Sequence, residues 1–317
     1  MIASNMLLEK PSARFDFVDS EVADRLYREL EEKGAVRLPS LLDAATVRGM
    51  QERFRRRLLN IRWNNCDGYE RTESLRLMVQ DVLTIDQGFV DLALHPLVKA
   101  VLDRYLGANY ELCEAKGWRS LPTMKDFHGW HSDMWYDQTQ VTDRIPREVK
   151  VAFYLSDVQS GAFQYIPGTH GKQAPHHLKK DEVQSLPIGK MIEFLGSAGS
   201  AVMFDTSGIH RQGIPILEPR DAVFLNYHDS SVPLQAEDVE YYRYHPLQLN
   251  AAFLGQLTQE DMRILGFGNK THYQPDFTRN TSSNWTHRFF GNVHAMQLKV
   301  GGFANKVIGK LKRLAGR

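Results

Sequence analysis

Beyond residue 110 the sequence breaks into short β-rich runs separated by Gly and Pro: VKVAFYL (149–155), AFQYI (162–166), SAVMF (200–204) and AVFLNY (222–227). Strands this short bury little by themselves, and repeated with turn signals between them they predict an antiparallel sandwich or barrel. In the first run Val151, Phe153 and Leu155 alternate with Lys150, Ala152 and Tyr154, the pattern of a strand with one face buried.

The first 110 residues read differently. SEVADRLYRELEEKG places Val22, Leu26 and Leu30 on one helical face and stops at Gly34. In DAATVRGMQERFRRRLLN, Asp43 is placed to cap, and Val47, Met50, Phe54 and Leu58 form a stripe opposite an arginine-rich face. HPLVKAVLDRYLG has Pro96 for a first turn and Gly107 for a stop. With no internal repeat and no sharp linker, the fold class is mainly β with a helical flank. The expectation is a single domain over 1–317, with the flank at 1–110, the β core at 111–230, a C-terminal extension at 231–299 whose polar part, 268–288, reads as a long surface loop or lid, and a tail at 300–317.

Charge excludes one class of partner. Thirty-nine basic residues nearly cancel 38 acidic ones, so there is no global positive field for nucleic acid. Two cysteines, Cys66 and Cys113, are too few for a disulfide framework and fit a reducing, cytoplasmic setting. The opening residues have no signal-peptide pattern, and no run reaches the ~18 apolar residues of a spanning helix. The tail FANKVIGKLKRLAGR does combine Phe303, Val307, Ile308, Leu311 and Leu314 with a basic surround and no acid. That pattern suits either a solvated tail or peripheral contact with an anionic inner membrane surface.

The chemistry concentrates in HGWHSDMWYDQ (128–138). His131 and Asp133 are one residue apart, so on an extended strand they share a face. An imidazole and a carboxylate form the mixed N/O donor set suited to Fe(II), and a second imidazole would complete a 2-His-1-carboxylate face with open positions. His210, after the run SAVMF, meets that need, and Arg220 follows ten residues later at the start of the next run. Adjacent antiparallel strands would return Arg220 towards the metal, where a guanidinium fork can hold the far carboxylate of 2-oxoglutarate. Read without the histidine and arginine, His131 and Asp133 could equally be a structural hydrogen-bonded pair, and Arg220 could pair with Glu218 or Asp221.

The order HSD (131–133), GAFQYIPGTHGK (161–172), His210, Arg220 resembles the phytanoyl-CoA dioxygenase family of Fe(II)/2-oxoglutarate-dependent oxygenases, with Ser160 and Thr169 as mild departures from its turn. The likeness runs from near Phe15 to near Tyr227. It implies a double-stranded β-helix, the jelly-roll or cupin-like core, packed by the N-terminal helices. It implies iron on His131, Asp133 and His210, 2-oxoglutarate held by Arg220, and dioxygen as co-substrate. The expected reaction is hydroxylation of an unactivated C–H bond with release of succinate and CO2. A second anchor for the 2-oxoglutarate carboxylate is expected from Lys125, Lys116, Tyr154 or Thr206. Asp133 in the ligand position argues against halogenation, which uses a small residue there.

Other residues have plainer expectations. Trp130, Trp135 and Tyr136 wall a pocket or pack in the sandwich, His128 lies beside the ligands or at the surface, His170 fastens the PGTH turn, and Asp205 satisfies the turn before His210. The arginines of 53–62 form a solvated helix face or contact an anionic substrate. The resemblance implies a small-molecule or carrier-linked substrate, drawn from acyl-CoA thioesters, compatible solutes, alkaloids, sugars or peptides. The competing readings are a cupin-like metal isomerase or lyase that needs no dioxygen, and a barrel that binds without catalysis.

Overall fold

The computed structural model describes residues 19–59, 75–79, 81–126, 129–134, 147–171, 178, 180–232, 247–255 and 257–268, with single positions at 289, 293, 296 and 300. The expected features at His128, Trp135, Tyr136, 269–288 and 301–317 lie outside the described residues. Among those described, no helix is long and apolar enough to cross a membrane.

The described residues of the N-terminal flank include the helices α1 (Ser20–Lys33), α2 (Ala44–Leu58), α3 (Gln87–Ala93) and α4 (Pro96–Tyr105). Asp43 caps α2 through the amides of Ala45 and Thr46, and Asp19 caps α1 likewise. Each side-chain cap satisfies an amide that has no partner within its own helix. Gly34 ends α1 at φ 78°, where a side chain would be strained, and a Cβ there would come within 2.4 Å of the His170 ring and the Tyr165 hydroxyl.

The strands are β1 (Ala35–Leu38), β2 (Arg76–Val79), β3 (Tyr110–Ser120), β4 (Glu148–Tyr154), β5 (Phe163–Tyr165), β6 (Ile192–Glu193), β7 (Ala201–Asp205), β8 (His210–Gln212) and β9 (Arg220–Asp229). They form an antiparallel six-stranded sheet, ordered β1-β7-β4-β9-β3-β2, facing a three-stranded one, β6-β5-β8. This is the jelly-roll core. The helical flank is not purely helical, because β1 and β2 extend the large sheet on both edges. AVRL and RLMV are too short for their periodicity to separate strand from helix.

The outer face of the large sheet carries Val149, Val151, Phe153, Met203, Val223, Leu225 and Tyr227, buried against Leu26, Leu30, Met50, Phe54, Phe89 and Val101 of the helices. Each such side chain contributes about 1.5–3 kcal/mol by leaving water. The inner face is also covered, since Ala152, Val202 and Phe204 pack on Phe163, Tyr165 and Phe194 between the sheets. So the second face of β4, read from alternation as solvent-facing, lines the interior instead. Its polar member, Lys150, has a buried partner there.

A bulge in β3 between Leu112 and Glu114 decides what that interior contains. Leu112 pairs opposite Tyr227 on the outer face, yet after one extra residue, Cys113, Glu114 pairs opposite Asn226. Because side chains alternate with period two, the insertion turns Glu114 and Lys116 inward. Cys113 itself is a buried free thiol. Residues 247–255 and 257–268 include a further helix, α5 (Gln259–Ile264). They dock on the helical side, with Ile264 and Leu265 in the outer core and Lys99 2.8 Å from Asp261.

Candidate metal centre

His131 and Asp133 were expected on a strand, but they lie on an irregular segment held by one isolated bridge between His131 and His210. The amide of His131 donates to the His210 carbonyl at 3.0 Å, and that of His210 donates back at 2.9 Å. The amide of Asp133 donates to the carbonyl of Thr206 at 2.7 Å. Two separate points of backbone pairing therefore fix the HSD segment against the β7–β8 turn.

That turn is itself well tied. Asp205 accepts from the Ser207 amide (2.8 Å) and hydroxyl (2.6 Å) and from Tyr105 Oη on α4 (2.8 Å). Burial raises the Asp205 carboxyl pKa against these hydrogen bonds. Thr169 Oγ1 accepts from the Ile209 amide at 2.8 Å and donates to the Ile166 carbonyl at 2.7 Å. His170 Nε2 reaches the Glu31 carbonyl at 2.9 Å, which fastens the PGTH turn to α1 as expected.

The three side chains converge. One ligand atom from each of His131, Asp133 and His210 lies within 4.8 Å of the others, and all three residues are buried. His131 Nδ1 contacts the Gly129 carbonyl at 3.0 Å, and His210 Nδ1 contacts the Gly208 carbonyl at 2.8 Å. A carbonyl only accepts, so each Nδ1 carries the proton and each Nε2 presents its lone pair inward. Those Nε2 atoms stand 3.7 Å from Asp133 Oδ1 and 3.6 Å from Oδ2. Two oriented imidazoles and one carboxylate fit a divalent transition metal such as Fe(II) and leave part of its coordination shell open.

Sequence reasoning missed Lys150. Its Nζ is 2.7 Å from Asp133 Oδ2, from an inward position on β4. Burial raises the pKa of Asp133, but Lys150 and then the two histidines outweigh it, so the carboxyl is held well below its usual range. For Lys150, burial lowers the pKa and Asp133 and Glu114 more than restore it. The available signal was a lysine in an otherwise apolar run. Asn226, opposite Lys150 in the β4–β9 register, is fully buried, and neither end of its carboxamide has a hydrogen-bond partner among the described residues.

Arg220 does not return on a strand adjacent to His210. β8 belongs to the small sheet and β9 to the large one, so the two residues come from opposing layers. The layers are stitched near Arg220, where Ser120, its register partner, reaches Gln212 at 3.4 Å. The guanidinium is buried and makes no hydrogen bond among the described residues. Burial lowers its pKa to about 10, with Tyr154 and Glu193 opposing. Of the two neighbours open to it, Asp221 is engaged elsewhere, with Arg119 at 2.7 Å and Arg55 at 3.4 Å.

The other candidates separate by contact. Tyr154 lies in the interior on β4 and interacts electrostatically with Arg220, but its hydroxyl donates to the Phe194 carbonyl at 2.8 Å. Thr206 is buried, with its hydroxyl 3.3 Å from Glu148. Lys116 faces inward, 3.1 Å from Glu114. Lys125 is exposed. Trp130 is buried under the Arg211 guanidinium, 4.5 Å from the ring centroid. The arginine face of α2 is pinned, not merely solvated, with Arg53 on Asp86 and Arg57 2.5 Å from Asp81.

The solved structures with this fold include the non-haem α-ketoglutarate-dependent carbocyclase SnoK from nogalamycin biosynthesis, at 16% identity and TM-score 0.54, covering 71% of this chain and 92% of that one. The epimerase SnoN from the same biosynthesis, also α-ketoglutarate-dependent, aligns at 17% identity and TM-score 0.50, covering 67% and 82%. No curated protein matches the sequence. The phytanoyl-CoA dioxygenase (PhyH) profile matches residues 30–213, more than half of the length, from the last turn of α1 to just past His210. The chain belongs to the phytanoyl-CoA dioxygenase family.

Proposed function

We propose that the chain is a non-haem Fe(II)- and 2-oxoglutarate-dependent dioxygenase that hydroxylates an unactivated C–H bond of a small-molecule or carrier-linked metabolite, releasing succinate and CO2. The observation that carries this reading is the convergence of His131, Asp133 and His210, with both Nε2 lone pairs turned to one point. When bound, ferrous ion with the keto acid supplies dioxygen activation. The protein's part is to orient and to exclude water. The Gly129 and Gly208 carbonyls fix the two imidazole tautomers. Arg220 supports the same reading, as a buried fork with no hydrogen-bonded partner among the described residues and able to take a carboxylate through two parallel hydrogen bonds. Tyr154 interacts electrostatically with Arg220 and would serve as a second anchor only by giving up its hydrogen bond to the Phe194 carbonyl; Thr206 acts through the Asp133 backbone.

The test is 2-oxoglutarate conversion to succinate with Fe(II) and dioxygen, which is expected in the wild-type chain and absent in His131→Ala. Full succinate formation in that variant contradicts the reading. The named activities of SnoK and SnoN, ring closure and epimerisation, are the alternative outcomes at such a site. Hydroxylation is told from both by transfer of label from 18O2 into product. Turnover without dioxygen would instead favour a metal isomerase or lyase.

A further inference from the structure

Lys150 stands where a strand of this kind has every reason to place an apolar residue. Its run is VKVAFYL, its inward companions on β4 are Ala152 and Tyr154, and its ladder partners are Phe204 on β7 and Asn226 on β9. Burying an ammonium there is costly unless it is paired. The pair it makes is with a ligand atom: Nζ lies 2.7 Å from Asp133 Oδ2, the same oxygen that stands 3.6 Å from His210 Nε2. The second oxygen, Oδ1, is turned to His131.

The positive charge beside Asp133 therefore has two possible sources. Resting on the metal reading above, we propose that Lys150 is a positioning residue whose ammonium takes the place of the metal ion's charge in the metal-free protein, reserves one oxygen of Asp133, and lowers the site's affinity for a divalent cation. Without metal, the ammonium–carboxylate pair stops a buried carboxylate from being left uncompensated. With metal, the same ammonium sits next to a dication and competes for its ligand. The pairing also leaves Asp133 one oxygen for the metal, which keeps a further coordination position open. Asn226, across the ladder, carries a carboxamide oxygen that no described residue uses and that stands in register with the ammonium.

Metal-free and metal-loaded forms should respond differently to the loss of this charge, because a ligand that binds only the folded state stabilises it in proportion to its affinity. The experiment measures melting temperature with and without Mn(II), and the Mn(II) Kd by calorimetric titration, for wild type, Lys150→Met, Lys150→Arg and Lys116→Met. In Lys150→Met the metal-free form melts lower, the metal-loaded form changes less, and the Kd falls by about tenfold or more as short-range repulsion is removed. Lys150→Arg retains the charge and stays near wild type. Lys116→Met, which breaks an ion pair with Glu114 that includes no ligand atom, lowers both forms alike.

Equal lowering of both forms in Lys150→Met, or a Kd that is unchanged or weaker, overturns the proposal while leaving the metal reading intact. A wild-type chain whose melting temperature ignores Mn(II) overturns the metal reading, and this proposal with it. Should Lys150→Met not fold, Lys150→Gln, which keeps a donor and removes the charge, carries the same titration with the same expected tightening.

Discussion

His131 and His210 are bound to each other twice over: their backbones exchange hydrogen bonds of 3.0 and 2.9 Å, and their rings stand 4.4 Å apart. The backbone exchange owes nothing to the imidazoles. His131→Ala should therefore keep the bridge and lose the metal, with slow hydrogen exchange retained at the His210 amide and Mn(II) affinity reduced by about 100-fold or more. Rapid exchange at that amide would show that the ring holds the segment in place.

Arg220→Ala should act on the co-substrate alone. Two charge-assisted hydrogen bonds to a carboxylate are lost, so the 2-oxoglutarate Kd should rise about 10- to 100-fold while Mn(II) affinity stays constant. Because the guanidinium is buried with no hydrogen-bonded partner among the described residues, the variant should melt no lower than wild type in the absence of 2-oxoglutarate. Calorimetric titration of the two ligands, with thermal melts, separates these effects.

How much of this was legible in the sequence follows the range of each interaction. The caps at Asp43 and Gly34 and the helical stripes depend on neighbours within one turn, and they appear where the pattern puts them. The metal triad was legible because three rare side chains and a following arginine have little other reason to recur in that order. What was not legible depends on partners far away in the chain. β1 and β2 are strands because β7 and β3 offer them edges. β3 shows no clean alternation because of its bulge at Cys113. Lys150 looked like the polar member of a half-exposed strand, since nothing local reveals that a second sheet covers that face.

Asn226→Leu offers a test of why an unpaired amide persists in the interior. A buried polar group without a partner costs about 1–3 kcal/mol, so the substitution should raise the melting temperature of the metal-free protein. The gain should vanish once Mn(II) and 2-oxoglutarate are bound, because the wild-type amide then has a partner. A gain of equal size in both states would make Asn226 a packing defect unconnected with the site.

Acid should weaken the start of α4 through His95. Its Nδ1 accepts from the Leu97 amide at 3.2 Å, which requires the neutral ring, and burial depresses its pKa to about 4 from an ordinary 6.5. The folded state therefore refuses a proton that the unfolded state accepts. Its contribution is fully present above pH 6.5 and is lost as the pH falls towards 4, roughly 3 kcal/mol at 1.36 kcal/mol per unit. His95→Asn, which keeps a capping acceptor, should flatten that part of the curve of stability against pH. An unchanged slope would place the acid sensitivity elsewhere.

The account rests on one ferrous ion meeting both the His131–Asp133–His210 face and a keto acid anchored at Arg220. The direct measurement is anaerobic visible absorption, since a keto acid chelated to Fe(II) gives a charge-transfer band that neither component shows alone. The band is predicted for the wild-type chain with Fe(II) and 2-oxoglutarate together, absent in His210→Ala, and restored in Arg220→Ala only at higher 2-oxoglutarate. No band in the wild-type chain, or an undiminished band in His210→Ala, would contradict the account.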